Sequence, residues 1–187
     1  FEFEELKKFV EALQNNICQS LETIDGHQTF KEDLWKHTGG GGGRTRVLQN
    51  GHVIEKGGVN TSAVHGIFPE SFRHSQNFPD EHYSAVGISM VLHPLNPYAP
   101  AFHANFRVIC CGKKAWFGGG ADLTPCYIFP EDAKHFHLHL KSLCDPFDAS
   151  YYPDFKKQCD EYFYLPHRNE TRGVGGLFFD HLEPLEK

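Results

Sequence analysis

Two runs of alternating residues on either side of a proline-rich turn constrain this chain more than any other feature. From 83 to 93 the sequence reads YSAVGISMVLH, and Val86, Ile88, Met90 and Leu92 fall on one face of an extended chain. After Pro94, Pro97 and Pro100, Phe102, Ala104, Phe106 and Val108 repeat the pattern. A period of two is a strand period, and two such runs joined by a turn predict an antiparallel pair. The intervening positions are Gly87, Ser89, Val91 and His93 on the first run, and His103, Asn105 and Arg107 on the second. If the strands pair across the turn, two imidazoles, an amide, a guanidinium and a hydroxyl share one wall. A solvated sheet face is the alternative, yet such a face favours Lys, Glu and Thr, and this one has none.

The remaining pattern surrounds this pair with helices and further strands. Phe3, Leu6, Phe9, Leu13, Ile17 and Leu21 recur at spacings of three and four, which predicts an amphipathic helix over 3–24 ended by Gly26. The glycine run 39–43 lacks the Gly-Lys-Ser/Thr of a phosphate loop and precedes a strand, so it reads as a loop over a site or a linker. Asn50-Gly51 between the β-prone runs 44–48 and 52–55 predicts a hairpin, and 59–65 a further strand. Residues 67–82 read as a loop. Lys113-Lys114 read as a turn before a strand over 115–119, helices are expected over 131–144 and 154–165, and 172–180 reads as a Gly-rich turn entering a strand. Consecutive antiparallel strands without a βαβ rhythm predict an α+β fold, with residues 1–187 as one domain.

Composition narrows the function classes. A formal net charge of −6 argues against a nucleic-acid partner. No apolar run approaches the ~20 residues of a membrane span, and the charged start FEFEELKKF does not read as a signal peptide. The six cysteines form no CxxC pair and two of them, Cys110 and Cys111, are adjacent, so reduced thiols and a cytoplasmic setting are expected. In the helix EDAKHFHLHLKSLC the apolar stripe runs through Ala133, Phe136, Leu140, Leu143 and Cys144. His137 sits at the edge of that stripe, whereas His135 and His139 lie away from it. The HxHxH run is therefore not a three-ligand metal box, which on one helix needs i, i+4 spacing towards a site. Arg172 precedes a glycine-rich turn that would let a carboxylate approach closely. In WFGGGADLTP, three glycines remove side chains along a strand, and Asp122 follows at its edge, where it could accept hydrogen bonds from ligand N–H groups.

The segments HPLNPYAPAFHANFR, WFGGGADLTP, EKGGVN, SAVHG, YYPDFKK, CDEYF, HRNETRG and GGLFFD resemble, in order and spacing, the oxygen-dependent coproporphyrinogen oxidase family. The resemblance implies a large antiparallel sheet flanked by helices on both faces, assembled as a homodimer. It implies oxidative decarboxylation of two propionates of coproporphyrinogen III to vinyl groups, with molecular oxygen as oxidant and no required cofactor. On this resemblance His103, Arg107 and Asp122 are the catalytic candidates, with His103 as proton donor and Asp122 holding the pyrrole N–H groups. Ser89, Asn105, Phe106, Arg107, Arg168 and Arg172 are the substrate-binding candidates, the arginines facing propionates. His93, His103, His137 and His167 fall at four histidines sometimes assigned to a divalent metal. The family continues past LFFDHL with a C-terminal part that this chain lacks, and VICCGKKAW is short for its hairpin. A metal-dependent hydrolase built on the histidines and a non-catalytic tetrapyrrole-binding module are the rival readings.

Overall fold

The computed structural model describes residues 2–71, 73 and 81–184. Its centre is a seven-stranded, wholly antiparallel sheet. The strands are β1 (Lys31–Lys36), β2 (Gly41–Gln49), β3 (Ile54–Ile67), β4 (His82–Pro94), β5 (Ala101–Cys111), β6 (Lys114–Thr124) and β9 (Gly175–Leu182), and they lie in that order across the sheet. A two-stranded ribbon, β7 (Tyr164–Leu165) with β8 (Glu170–Thr171), stands apart. Three helices complete the main elements: α1 (Phe3–Asp25), α2 (Pro130–Cys144) and α3 (Tyr151–Tyr162). The expected α+β class is borne out.

Helix α1 seats its apolar stripe on β3 and β4. Val10 and Cys18 are buried with Val59, Ala63, Val86 and Ile88, and Leu6, Leu13, Ile17 and Leu21 close round them. One polar residue sits inside this core. Gln14 is fully buried, and its amide donates to the carbonyls of Arg44 (2.9 Å) and Val59 (2.7 Å). Its Oε1 accepts from Arg44 Nε (2.5 Å) and Thr61 Oγ1 (3.3 Å). The amide thus uses both donors and both lone pairs, the condition under which a buried polar group is tolerated.

The end of α1 is tied to the β2–β3 hairpin by Asp25. Its Oδ1 accepts from the backbone N–H groups of Val53 and Ile54, and its Oδ2 from Gln28. These bonds hold its carboxyl well below the usual carboxylate range. Gly51 is required there, since a Cβ would lie 2.2 Å from Asp25 Oδ1.

A second core forms at the far edge. Leu140 and Cys144 of α2 and Phe155 of α3 pack on Leu177 of β9, with Phe179 and Leu182 alongside. Cross-strand partners in an antiparallel sheet share a face, and Val59, Met90, Ala104, Ala121 and Leu177 follow one another through the register. Helices α1 and α2 therefore lie on the same face. Helix α3 runs along β9: Phe155 meets Phe179 on that face, while Tyr162 stacks on Phe178 of the other, ring centroids 4.1 Å apart. Among the described residues, helical cover on the second face is limited to this end of α3.

Several boundaries differ from expectation. Gly41, Gly42 and Gly43 belong to β2, all three paired with β3 and the last two also with β1, so the glycine run is mainly strand. Trp35 of β1, a strand missing from the sequence reading, packs where a Cβ on Gly43 would stand. The runs 52–55 and 59–65 join into β3 beyond the Asn50-Gly51 turn, where Asn50 takes φ 59. The β5–β6 hairpin closes tightly between Cys111 and Lys114, with Gly112 at φ 60. Helix α3 stops at Tyr162, because Tyr164 and Leu165 pair with β8. Half of the expected loop at 67–82 lies outside the described residues, and its ends, Ile67 and His82, belong to β3 and β4.

Replacing Gln14 with Leu should take a hydrogen bond from the Val59 carbonyl in the core and an acceptor from Arg44. A loss of about 1–3 kcal/mol in urea unfolding is expected, the cost of orphaned buried polar groups.

Candidate active site

Three rows of side chains cross the second face of the sheet, each set by the cross-strand register. Gly87, Arg107 and Gly118 form one; Ser89, Asn105, Gly120 and Phe178 the next; Val91, His103, Asp122 and Gly176 the third. Glycines flank the functional side chains in each row, so long side chains can lie flat across bare backbone. The rows open into a cleft of about 270 Å³ lined by His103, Asn105, Arg107, Asp122, Arg172 and Phe178, with Tyr162 and Phe163 at its edge.

Asp122 lies at the floor of the cleft, 3 % exposed. Its Oδ2 accepts from Arg172 Nη2 (2.8 Å) and Nε (3.2 Å), a two-point contact that fixes both groups. Arg172 in turn stacks on Phe163, with Cζ 3.9 Å from the ring centroid. The turn carrying Arg172 is pinned from both sides. Gly173 at φ 58 approaches the Leu123 carbonyl so closely that a Cβ would stand 2.2 Å from it. On the other side, the Val174 carbonyl meets His137 Nε2 at 2.8 Å. Behind Asp122, burial pushes the Cys159 thiol up to about 11, so it is a neutral packing group.

His103 Nδ1 stands 3.7 Å from Asp122 Oδ1, too far for a hydrogen bond, and is buried without a partner. Burial lowers its pKa first and foremost, Asp122 pulls it the other way, and Arg172 and His93 lower it further. The result is a neutral imidazole at neutral pH, beside a carboxylate whose charge is already matched by arginine.

The sequence candidates separate cleanly by position. His103, Asn105, Arg107, Asp122 and Arg172 meet in the cleft. Ser89 lies beside Asn105 in register on the same face, outside the residues that line the cleft. Phe106 does not belong with them: the alternation that aims Asn105 and Arg107 into the cleft aims Phe106 at the helix-covered face, where it meets Phe179 and lines an apolar trough with Leu143 and Phe147. Arg168 is exposed on the β7–β8 ribbon and pairs with Glu170. The four histidines are not gathered. His93 and His103 are neighbours, rings 6.2 Å apart, but His167 is exposed on the ribbon turn. His137 has both ring nitrogens engaged, by the Val174 carbonyl and the Tyr152 hydroxyl (2.9 Å). Among the described residues no three His, Cys, Asp or Glu side chains are placed to share an ion. The donor set does not fit a four-histidine metal centre, and the hydrolase alternative loses the cluster it needed. Tyr162, Phe163, Phe178 and Asp180 were missed as site residues; the stack of three aromatics depends on how α3 folds round β9, which no local pattern displays.

The decisive comparison is with known families: residues 5–187 match the family described as coproporphyrinogen III oxidase. The chain belongs to that family. It is similar to coproporphyrinogen-III oxidase 1, chloroplastic, of Arabidopsis thaliana, 47% identical over 95% of this chain and 50% of that one. The oxygen-dependent coproporphyrinogen-III oxidase, chloroplastic, of Glycine max is 47% identical over 97% of this chain and 51% of its own. The oxygen-dependent coproporphyrinogen-III oxidase of Coxiella burnetii is 49% identical over 95% and 60%. The chain thus spans about half to three-fifths of the length of these oxidases. No described helix is long and apolar enough to cross a membrane.

The site generates a pH prediction. Because burial depresses the His103 pKa below the ordinary 6.5, the unfolded chain binds this proton at a higher pH than the folded one. Its contribution to stability is complete above that ordinary value and declines as pH falls through it towards the folded value. Thermal melts across this range should show a shallower acid slope for His103→Gln than for wild type.

Proposed function

We propose that this protein catalyses the oxygen-dependent oxidative decarboxylation of two propionates of coproporphyrinogen III to vinyl groups, giving protoporphyrinogen IX in haem biosynthesis. The observation that carries this reading is the convergence of Arg107, Arg172, His103 and Asp122 on one cleft beside a bare glycine strand and an aromatic wall. A tetrapyrrole with four carboxylates needs cations at its rim, a flat surface for its rings and an acceptor for its pyrrole N–H groups. The cleft offers all three: guanidinium groups, the Gly119–Gly120 backbone with Phe178, and Asp122 Oδ1. The oxidases it resembles carry this activity in their names.

Each conversion takes one propionate, one molecular oxygen and one proton to one vinyl group, carbon dioxide and hydrogen peroxide. Two electrons leave the propionate, and oxygen accepts them. Asp122 Oδ1 accepts the pyrrole N–H and draws electron density into the ring, which reacts with oxygen directly. The peroxide then removes a hydrogen from the propionate, and carbon dioxide departs. Arg172 keeps Asp122 fixed while this happens, and Arg107 receives a propionate. His103, neutral in the empty cleft, gains a proton when an anionic group replaces its missing partner, which suits it to supply the proton that the balance requires. No step in this scheme calls on a metal or organic cofactor. A homodimer and a cytoplasmic setting complete the reading; the plant relatives are named as chloroplastic.

Incubation with coproporphyrinogen III under air should consume oxygen and release carbon dioxide in equal amounts, with vinyl formation visible after oxidation to the porphyrin. Asp122→Asn, which keeps the shape but removes the charge, should lower kcat by on the order of 10² or more. Wild-type turnover in that variant removes Asp122 from the chemistry. Porphyrin binding without oxygen uptake by wild type would favour the non-catalytic module instead.

A further inference from the structure

Three features around Gly118 converge on one carboxylate that the scheme above does not use. The β6–β9 register slips between Phe117, opposite Leu182, and Gly119, opposite Phe179, so that Gly118 faces both Asp180 and His181. Such a bulge re-aims a side chain. Here His181 absorbs the distortion at φ 55, a left-handed conformation uncommon for a residue with a Cβ, and its ring lies parallel to that of Trp116. The re-aimed side chain is Asp180: its Oδ2 accepts from Arg107 Nη2 at 3.0 Å, and its Oδ1 from the His181 N–H at 2.9 Å.

Gly118 is bare where the two side chains meet. A Cβ there would stand 2.6 Å from Asp180 Oδ1 and 2.9 Å from Arg107 Cζ. Asn105 Oδ1 accepts from Arg107 Nη1 at 3.2 Å on the other side. A guanidinium has five N–H donors in a rigid fork. Two partners therefore fix the plane of Arg107 and leave the other donors for a ligand in the cleft that Arg107 lines.

We propose that Asp180 is a positioning residue: delivered by the bulge across bare Gly118, it holds the Arg107 guanidinium in the orientation that receives a substrate carboxylate. The inference rests on the reading of the cleft as a coproporphyrinogen site. An arginine gripped at two corners binds a carboxylate without first losing its own side-chain freedom, whereas a free one must be ordered at each binding event. Half-exposed ion pairs of this kind contribute little to folding, so the effect of Asp180 belongs to binding.

The test compares Asp180→Ala, Asp180→Asn, Arg107→Ala and the Asp180→Ala/Arg107→Ala double variant. Asp180→Ala should raise KM for coproporphyrinogen on the order of tenfold with kcat within about twofold, Asp180→Asn should fall between it and wild type, and melting temperatures should be unchanged. In the Arg107→Ala background, Asp180→Ala should add nothing, because a residue that acts through another is silent once that other is gone. Additive effects, or a fall in kcat at unchanged KM, overturn the proposal. The grip itself is read without turnover: the Arg107 side-chain nitrogen NMR signals should show restricted rotation in wild type and faster rotation in Asp180→Ala. Equal rotation in both overturns the proposal even if the enzyme is active. Absence of wild-type turnover with the rotation difference intact sinks the reaction, not the grip.

Discussion

Cross-strand register in β4, β5, β6 and β9 is the constraint on which the rest of the structure depends. The side-chain period of a strand is two, so a slip of one residue would carry Ser89, His103, Asn105, Arg107 and Asp122 to the helix face and the apolar set to the cleft. The two cores guard against that slip. Val86 and Ile88 are locked under α1, and Leu177 is locked under α2 and α3. The polar rows are positioned by apolar packing on the opposite face, and none of them contributes to that packing. This division places the functional groups on rigid elements, where a cleft geometry holds to a fraction of an ångström.

The charge arrangement follows the same logic. Buried charges are costly unless paired, and breaking a buried pair costs more than the pair returns. Asp122 is buried and paired with Arg172; Arg107 is paired with the more exposed Asp180. Each cleft cation is therefore matched by a protein carboxylate, which lets a chain of net negative charge hold two guanidiniums side by side without unfolding pressure. The distinction lies in depth. The two arginines are equally exposed, but Asp122 is buried at the floor with Arg172 stacked on Phe163, while Asp180 is open to solvent.

Much of this was legible in the residues because it depends on period. The alternation through 83–93 and 102–108 gave the strands, their faces and their pairing, and with them the company of Ser89, His103, Asn105 and Arg107. The glycines of WFGGGAD announced a bare strand with a carboxylate at its end. What stayed hidden depends on contacts distant in the chain. β1 carries no alternation, being exposed throughout, and exists because Gly42 and Gly43 leave room for it. The ion pair of Arg172 with Asp122 joins residues 50 apart. The alternation itself put Phe106 on the apolar face, where the structure has it, and only the family resemblance grouped it with Asn105 and Arg107. His137 sat at the edge of its helix stripe as expected, but its partners, Tyr152 and Val174, come from other elements.

Among the described residues, His103 Nδ1 and Thr124 Oγ1 are buried side-chain atoms without a hydrogen-bond partner from the chain, and His103 is the one of the two that lines the cleft. A buried imidazole nitrogen without a partner is rare enough in folded proteins to demand an explanation. Moving Asp122 half an ångström closer would satisfy it, and Arg172 prevents that movement by holding Oδ2 at two points. The arginine thus does two things at once: it anchors Asp122 and withholds it from His103. The imidazole is left without a hydrogen bond from the chain at Nδ1, and burial lowers its pKa.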